Sequence, residues 1–141
     1  MSHISVVVPC YNERENVEST CRKLIDTLHV IDSTFEIILV DNGGTDGQLE
    51  VMKKVHLENV EQVKVVSLSR NFGYQISMSA GIEYASGDAI IIIDADLQDP
   101  PSMILEFIDK WEDGYDVVFG VREKREGSWL LKMFYKMFYK I

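Results

Sequence analysis

Residues 90–101 read Ile90-Ile91-Ile92-Ile93-Asp94-Ala95-Asp96-Leu97-Gln98-Asp99-Pro100-Pro101. Four β-branched apolar residues are followed by three carboxylates and an amide within six positions. A continuous run of this kind predicts a strand buried on both faces, as found inside a parallel sheet. Carboxylates crowded at its end repel one another, so a cation is expected between them. The two prolines punctuate the chain and predict a helix beginning just beyond them.

Outward from this strand, apolar runs alternate with segments of helical period. Strands are predicted at Ile4 to Val8, Phe35 to Val40, Val63 to Leu68 and Ala89 to Ile93, with a short fifth at Asp116 to Gly120. Helices are predicted over Arg14 to Val30, up to about His56, over Phe72 to Ala85, and over Ser102 to Glu112. Strand–helix alternation with short connections implies right-handed crossovers and a mostly parallel sheet with helices on both faces, an α/β fold. Ligands of such sheets bind beyond the carboxyl ends of the strands. Four polar clusters fall there: Pro9-Cys10-Tyr11-Asn12-Glu13, Asp41-Asn42-Gly43-Gly44-Thr45-Asp46, Ser69-Arg70-Asn71-Phe72-Gly73 and Asp94-Ala95-Asp96. Their coincidence on one rim is stronger evidence for a site than any one of them.

Asp94 and Asp96 supply hard oxygen ligands suited to Mg²⁺ or Mn²⁺, and Gln98 offers a further oxygen. A metal held there would neutralise a diphosphate leaving group. Asp99, just ahead of a proline-led helix, reads as an N-cap. The glycines after Asp41 let a ligand approach the backbone, and Asp41 can accept hydrogen bonds from a base or ribose. Thr45 and Asp46 read equally as helix caps. The run lacks the G-x-G-x-x-G spacing, so no dinucleotide fingerprint is expected. Tyr11 can stack on a base; Glu13 can contact a sugar hydroxyl or favour a helix N-terminus. Arg70, a lone cation on an acidic rim, suits a phosphate. Phe72 reads as a buried aromatic anchor, and Gly81 and Gly87 as close packing and a helix stop.

The 141 residues carry a net charge of −9 and are 46% hydrophobic, which suits one globular domain and argues against a nucleic-acid partner. Cys10 and Cys21 match no metal-ligand spacing and read as free thiols in a reducing compartment. No leader precedes Ile4 and no apolar run is long enough to span a bilayer, so a cytoplasmic protein is expected. From Val121 onward the chain turns basic. Leu130, Phe134, Met137, Phe138 and Ile141 share a helical stripe beside Lys132, Lys136 and Lys140. Such a helix can lie in a membrane interface or dock on its own sheet or another subunit; both readings stay open. The expected organisation is a core at 1–121 and a basic amphipathic helical tail at 122–141 of the same domain.

The runs Val8-Pro9-Cys10-Tyr11-Asn12-Glu13, Val40-Asp41-Asn42-Gly43-Gly44-Thr45-Asp46-Gly47, Ser69-Arg70-Asn71-Phe72-Gly73, Asp94-Ala95-Asp96-Leu97-Gln98-Asp99-Pro100-Pro101 and Gly120-Val121-Arg122 follow one another as in a known family. Together they resemble the family 2 glycosyltransferases of the Rossmann-like GT-A fold. The Arg-Asn-Phe-Gly and Asp-Leu-Gln-Asp-Pro-Pro runs are most similar to the polyprenyl-phosphate sugar transferases, the dolichol-phosphate mannosyltransferase and bactoprenol glucosyltransferase group. The resemblance implies that Pro9, Tyr11, Glu13 and Asp41 surround the nucleoside and that Asp94 contacts the donor. It also implies that Asp96 and Gln98 hold Mg²⁺ or Mn²⁺, and Arg122 joins the substrate-binding set. Asn42 and Gly44 stand where the family usually has an acid and a serine.

The implied reaction moves a sugar, with inversion, from a UDP-glucose or GDP-mannose type donor to a polyprenyl phosphate, in cell-envelope glycan synthesis at the cytoplasmic face of the membrane. An anionic phosphate acceptor needs no general base, whereas a hydroxyl acceptor does. The family's acceptor half lies beyond this length, so a truncated fold is expected. Two alternatives stand beside this: a soluble family member acting on a polysaccharide or protein hydroxyl, and a nucleotide-sugar-binding module inactive without the acceptor half. Homo-oligomerisation is a further expectation.

Overall fold

The computed structural model describes residues 1–121; the tail at 122–141, with Arg122 and the proposed interface helix, lies outside the described residues. Strands and helices alternate in the order β1 (His3–Cys10), α1 (Arg14–Leu28), β2 (Thr34–Asp41), α2 (Gln48–Glu58), β3 (Val63–Ser67), α3 (Tyr74–Glu83), β4 (Ala89–Ile92) and α4 (Met103–Glu112). The described strands form a parallel sheet in the order β3-β2-β1-β4. The chain winds outward from β1 through β2 to β3, then returns to place β4 on the other side of β1. The switch point between β1 and β4 is where an open parallel sheet leaves a crevice at its carboxyl end.

β1 is central, and Ile4 to Cys10 are all buried. One face of the sheet presents Ile4, Val6, Val8, Ile37 and Leu39 to the helices. Val17, Cys21, Leu24 and Leu28 form the stripe with which α1 covers it, and Met52 of α2 and Ile104 and Ile108 of α4 complete the layer. Each fully buried aliphatic side chain contributes about 1.5–3 kcal/mol. The opposite face presents Val7, Ile38 and Val40 to α3. Gly81 makes that approach close, because a Cβ there would overlap Val7 Cγ1 and stand 3.0 Å from Val40 Cγ2.

Three expectations are corrected. The isoleucine run is buried on one face only: Ile91 and Ile93 are 8% exposed, whereas Ile90 and Ile92 are 40% and 36% exposed. β4 borders the described sheet, and α3 packs mainly on β1 and β2, which leaves Ile90 and Ile92 on the second face of β4 only partly covered by the described residues. The fifth strand does not form among the described residues. Gly120 lies against Met103 and Phe107 of α4, Val117 and Phe119 are exposed, and both β4 and residues 118–121 line a cavity of about 860 Å³. Finally, Ser102, not Asp99, occupies the cap position of α4, where the Pro100 and Pro101 carbonyls accept the Met103 and Ile104 N–H groups.

At the opposite end of the sheet, Glu36 is a buried carboxylate. Its Oε1 accepts hydrogen bonds from Ser5 Oγ at 2.6 Å, Ser86 N at 2.7 Å and Ser86 Oγ at 2.8 Å, and Oε2 pairs with Lys64. Burial alone would raise its pKa, but these bonds outweigh that and hold it down to about 2. The cluster ties β1, β2 and β3 to the turn that leads into β4.

Candidate active site

The four polar clusters do lie together at the carboxyl ends of the strands; hydrogen bonds join the first three in turn, and Tyr74, the residue after the third, reaches the fourth. Between the first and second, Asn42 N donates to the Cys10 carbonyl, Thr45 N to Asn12 Oδ1 at 2.8 Å, and Arg14 N to Asp46 Oδ2 at 2.9 Å. Asp46 also accepts the Gln48 N–H on Oδ1 at 3.0 Å, so one carboxylate serves the N-termini of both α1 and α2. The cap position of α2 itself is Gly47, at φ 89.

Asp41 is 3% exposed. Its Oδ1 accepts from Gly44 N at 3.0 Å and Gln48 Nε2 at 2.5 Å, and its Oδ2 from Ser67 Oγ at 2.9 Å. It therefore braces the second and third clusters from beneath the rim. Asn42, 4% exposed, continues the chain of bonds: its Nδ2 donates to Asn71 Oδ1 at 3.1 Å and its Oδ1 accepts the Phe72 N–H at 3.0 Å. Gly43 stands at φ 68 with the Arg70 backbone against it, leaving no room for a Cβ. An amide suits Asn42 better than a carboxylate, because the site needs one donor and one acceptor.

These bonds hold Phe72 and Gly73 outside the helix, so α3 begins at Tyr74. Phe72 is not the expected buried anchor. It is 37% exposed, and the Arg70 guanidinium lies over its ring at 4.7 Å from the centroid. This stacking presents Arg70 at the surface of the rim. The third and fourth clusters are joined by Tyr74, whose hydroxyl donates to Asp94 Oδ1 at 2.9 Å.

In the fourth cluster the backbone alternates: Asp94 and Asp96 are exposed while Ala95 is buried, its carbonyl accepting from Thr20 Oγ1 at 2.6 Å. Leu97 takes φ 50, and Gln98 N reaches Asp96 Oδ1 at 3.3 Å. Both carboxylates thus face outward with oxygen lone pairs to offer. No group of three or more His, Cys, Asp or Glu side chains clusters as a metal cage among the described residues. Two exposed carboxylates with an exposed amide nearby fit a hard divalent ion that takes its other ligands from water and a bound phosphate. Tyr11 is 45% exposed, Glu13 is half-buried at the cap position of α1, and Pro9 is buried near the end of β1, beyond the last β1–β4 pair. Cys10 and Cys21 are free and buried. Burial, then the Glu13 and Asp41 carboxylates, push the Cys10 thiol far up, which excludes it as a nucleophile at neutral pH. Gln48 and Tyr74 were not expected from sequence; neither belongs to a polar cluster at a strand end.

Comparison with known proteins agrees with this architecture. The chain is 47% identical over 139 residues to the uncharacterized glycosyltransferase sll0501 of Synechocystis, covering 98% of this chain and 43% of that protein. It is 43% identical over 138 residues to the uncharacterized glycosyltransferase YkcC of Bacillus subtilis, covering 94% and 42%. The chain thus spans less than half the length of these curated relatives. Among solved structures, it shares the fold of the mannosyltransferase PcManGT from Pyrobaculum calidifontis in complex with GDP-Man and Mn²⁺, at a TM-score of 0.64 and 24% identity over 82% of this chain and 33% of that one. S. aureus TarS 1–349 in complex with UDP-GlcNAc aligns at a TM-score of 0.60 and 22% identity, covering 91% and 37%. The model of the family described as Glycosyl transferase family 2 matches residues 5–140. A parallel sheet of the GT-A type, its hydrogen-bonded rim and this match over nearly the whole length agree: the chain belongs to glycosyl transferase family 2.

Proposed function

We propose that the chain is the donor-binding part of a metal-dependent glycosyltransferase that moves a sugar, with inversion, from a nucleotide-diphosphate sugar to a polyprenyl phosphate. The observation that carries this reading is the continuous hydrogen-bonded rim ending in the outward-facing Asp94 and Asp96. Relatives named as glycosyltransferases, and structural neighbours holding GDP-Man with Mn²⁺ or UDP-GlcNAc, support it.

On this reading Tyr11 and Glu13 face the nucleoside and Pro9 shapes the strand end beneath them. Asp41 contributes from below the surface, through the loop it braces. Arg70 meets a donor phosphate, Asp94 meets the donor, and Arg122 belongs to the same substrate-binding set. Asp96, with Gln98, would hold Mg²⁺ or Mn²⁺, whose charge offsets that building on the diphosphate leaving group. A polyprenyl phosphate brings an oxygen already anionic, so the transfer requires no general base from this chain. The residues at 122–141 form part of the same domain on this reading, since the family match runs to residue 140. Their basic and aromatic composition suits the cytoplasmic face of a membrane; among the described residues no helix is long and apolar enough to cross one.

Calorimetric titration with UDP- and GDP-sugars, with and without Mn²⁺, followed by assay of transfer to a short polyprenyl phosphate, tests this. Metal-dependent binding that Asp96→Ala abolishes is expected. Absence of nucleotide binding with metal present overturns the site. Binding without transfer favours a donor-binding module that acts only with an acceptor half.

A further inference from the structure

Gln48, the first residue of α2, has no exposed surface. Its Oε1 accepts the Glu13 N–H at 2.9 Å, and its Nε2 donates to the Cys10 carbonyl at 3.1 Å and to Asp41 Oδ1 at 2.5 Å. These partners fix the direction of the amide. Turned over, it would oppose donor to donor and oxygen to two oxygens. The bonds close both ends of the two-residue loop that carries Tyr11 and Asn12, where Asn12 takes φ 55. Room for the amide depends on Gly44, since a Cβ there would stand 2.5 Å from Gln48 Nε2. The surrounding titratable groups are Cys10, Glu13, Asp41 and Asp46, with Arg14 Nη1 bonded to the Asp46 carbonyl.

We propose that Gln48 is a positioning residue for donor binding, the internal amide that locks the 10–13 loop to Asp41 and thereby aims Tyr11 and Glu13 at the nucleoside. It touches no ligand itself. Burying an amide is costly unless its polar atoms are paired; all three bonds of this one go to the two loops that would frame a nucleoside. The role rests on the donor-binding reading above and adds to it a residue set behind the site.

The test titrates the whole chain with UDP and with GDP in Mn²⁺, comparing wild type with Gln48→Met, Gln48→Glu and Gly44→Ala. Gln48→Met is expected to weaken nucleotide binding about 10-fold, because small misplacements of positioning groups have effects of this order or larger. Hydrogen exchange should show the Glu13 amide losing its protection in that variant. Gln48→Glu places a carboxyl against Asp41 that can donate only when protonated. Its affinity should recover as pH falls from about 8 to about 5, well beyond any wild-type change, a response that a packing role does not produce. A folded Gln48→Met with wild-type affinity and a protected Glu13 amide overturns the proposal. If Gln48→Met does not fold, wild-type affinity in Gly44→Ala, which displaces the amide without deleting it, overturns it equally. A wild-type chain that binds neither nucleotide sinks the donor-binding reading and this role with it, whereas wild-type binding that is indifferent to these variants sinks this role alone.

Discussion

The Tyr74 hydroxyl donates to Asp94 Oδ1 at 2.9 Å, coupling the first residue of α3 to the first acid after β4. The pair closes the series of bonds that runs from the β1 loop through Asp46, Asp41, Asn42 and Asn71. Replacing Tyr74 by Phe removes one hydroxyl and leaves the ring. A hydrogen bond at a half-exposed position adds little to global stability, so the melting temperature should shift by no more than about 2–4 °C. Nucleotide affinity in Mn²⁺ should fall about 3- to 10-fold, equivalent to about 0.7–1.4 kcal/mol. Unchanged affinity by calorimetry would show that Asp94 needs no such support.

Gly43 and Gly114 both take positive φ, at 68° and 99°, but only Gly43 is crowded, with the Arg70 backbone where a Cβ would go. Gly114 has nothing within 4 Å. Alanine at Gly114 pays only the backbone term, about 1 kcal/mol, whereas at Gly43 the second and third loops must also separate, for about 2–4 kcal/mol. Urea unfolding of the two variants measures the difference; equal losses would mean that the Gly43–Arg70 contact yields freely.

Glu36 should make stability pH-dependent in acid. Its pKa is lowered from 4.5 to about 2 on folding, so its stabilisation is complete above about 4.5 and is lost as pH falls toward 2. The shift corresponds to about 3 kcal/mol. Other carboxylates titrate in the same window, so the informative quantity is the difference between wild type and Glu36→Gln. That difference should shrink between pH 4.5 and 2 in denaturant melts. A constant difference would show that the Lys64, Ser5 and Ser86 bonds do not favour the ionised form.

Gly81 lets α3 lie against Val7 and Val40. Alanine there improves helix propensity by about 1 kcal/mol, yet its methyl collides with Val7 Cγ1, and overpacking costs about 1–3 kcal/mol. Net destabilisation is expected. Combining Gly81→Ala with Val7→Ala should recover part of the loss, giving a favourable coupling energy in a double-mutant cycle. Additive effects would place the collision elsewhere.

How far the site could be read from sequence differs residue by residue. Asp94 and Asp96 announced themselves, because an apolar β-branched run that ends in acids marks where a buried strand surfaces. Asp46 was readable as a cap but not as the cap of two helices, since its second partner, Arg14 N, lies 32 residues away. Phe72 reads as an anchor because an aromatic beside Gly suggests one, and only the Asn42–Phe72 bond and the Arg70 stack reveal a partly exposed ring. Asp41 stands out in the sequence as a ligand candidate, but its bonds to Gly44, Gln48 and Ser67, which also make it a brace for the loops, are visible only in the fold.

By itself the sequence determined the α/β alternation, the parallel sheet and the convergence of four polar clusters on one rim. These depend on chain polarity: every strand that returns through a helix points the same way and delivers its following loop to the same side. Tertiary structure alone decided which polar groups are exposed and which are consumed beneath the surface. Glu13 and Gln48 are 35 residues apart, and Tyr74 and Asp94 are 20 apart. It also decided that Ile90 and Ile92 stay partly exposed, because burial of a strand face depends on which helix lies over it, and α3 lies mainly over β1 and β2. Local periodicity records that a side chain is apolar or polar, but the partner that covers or binds it is set by the packing of distant segments.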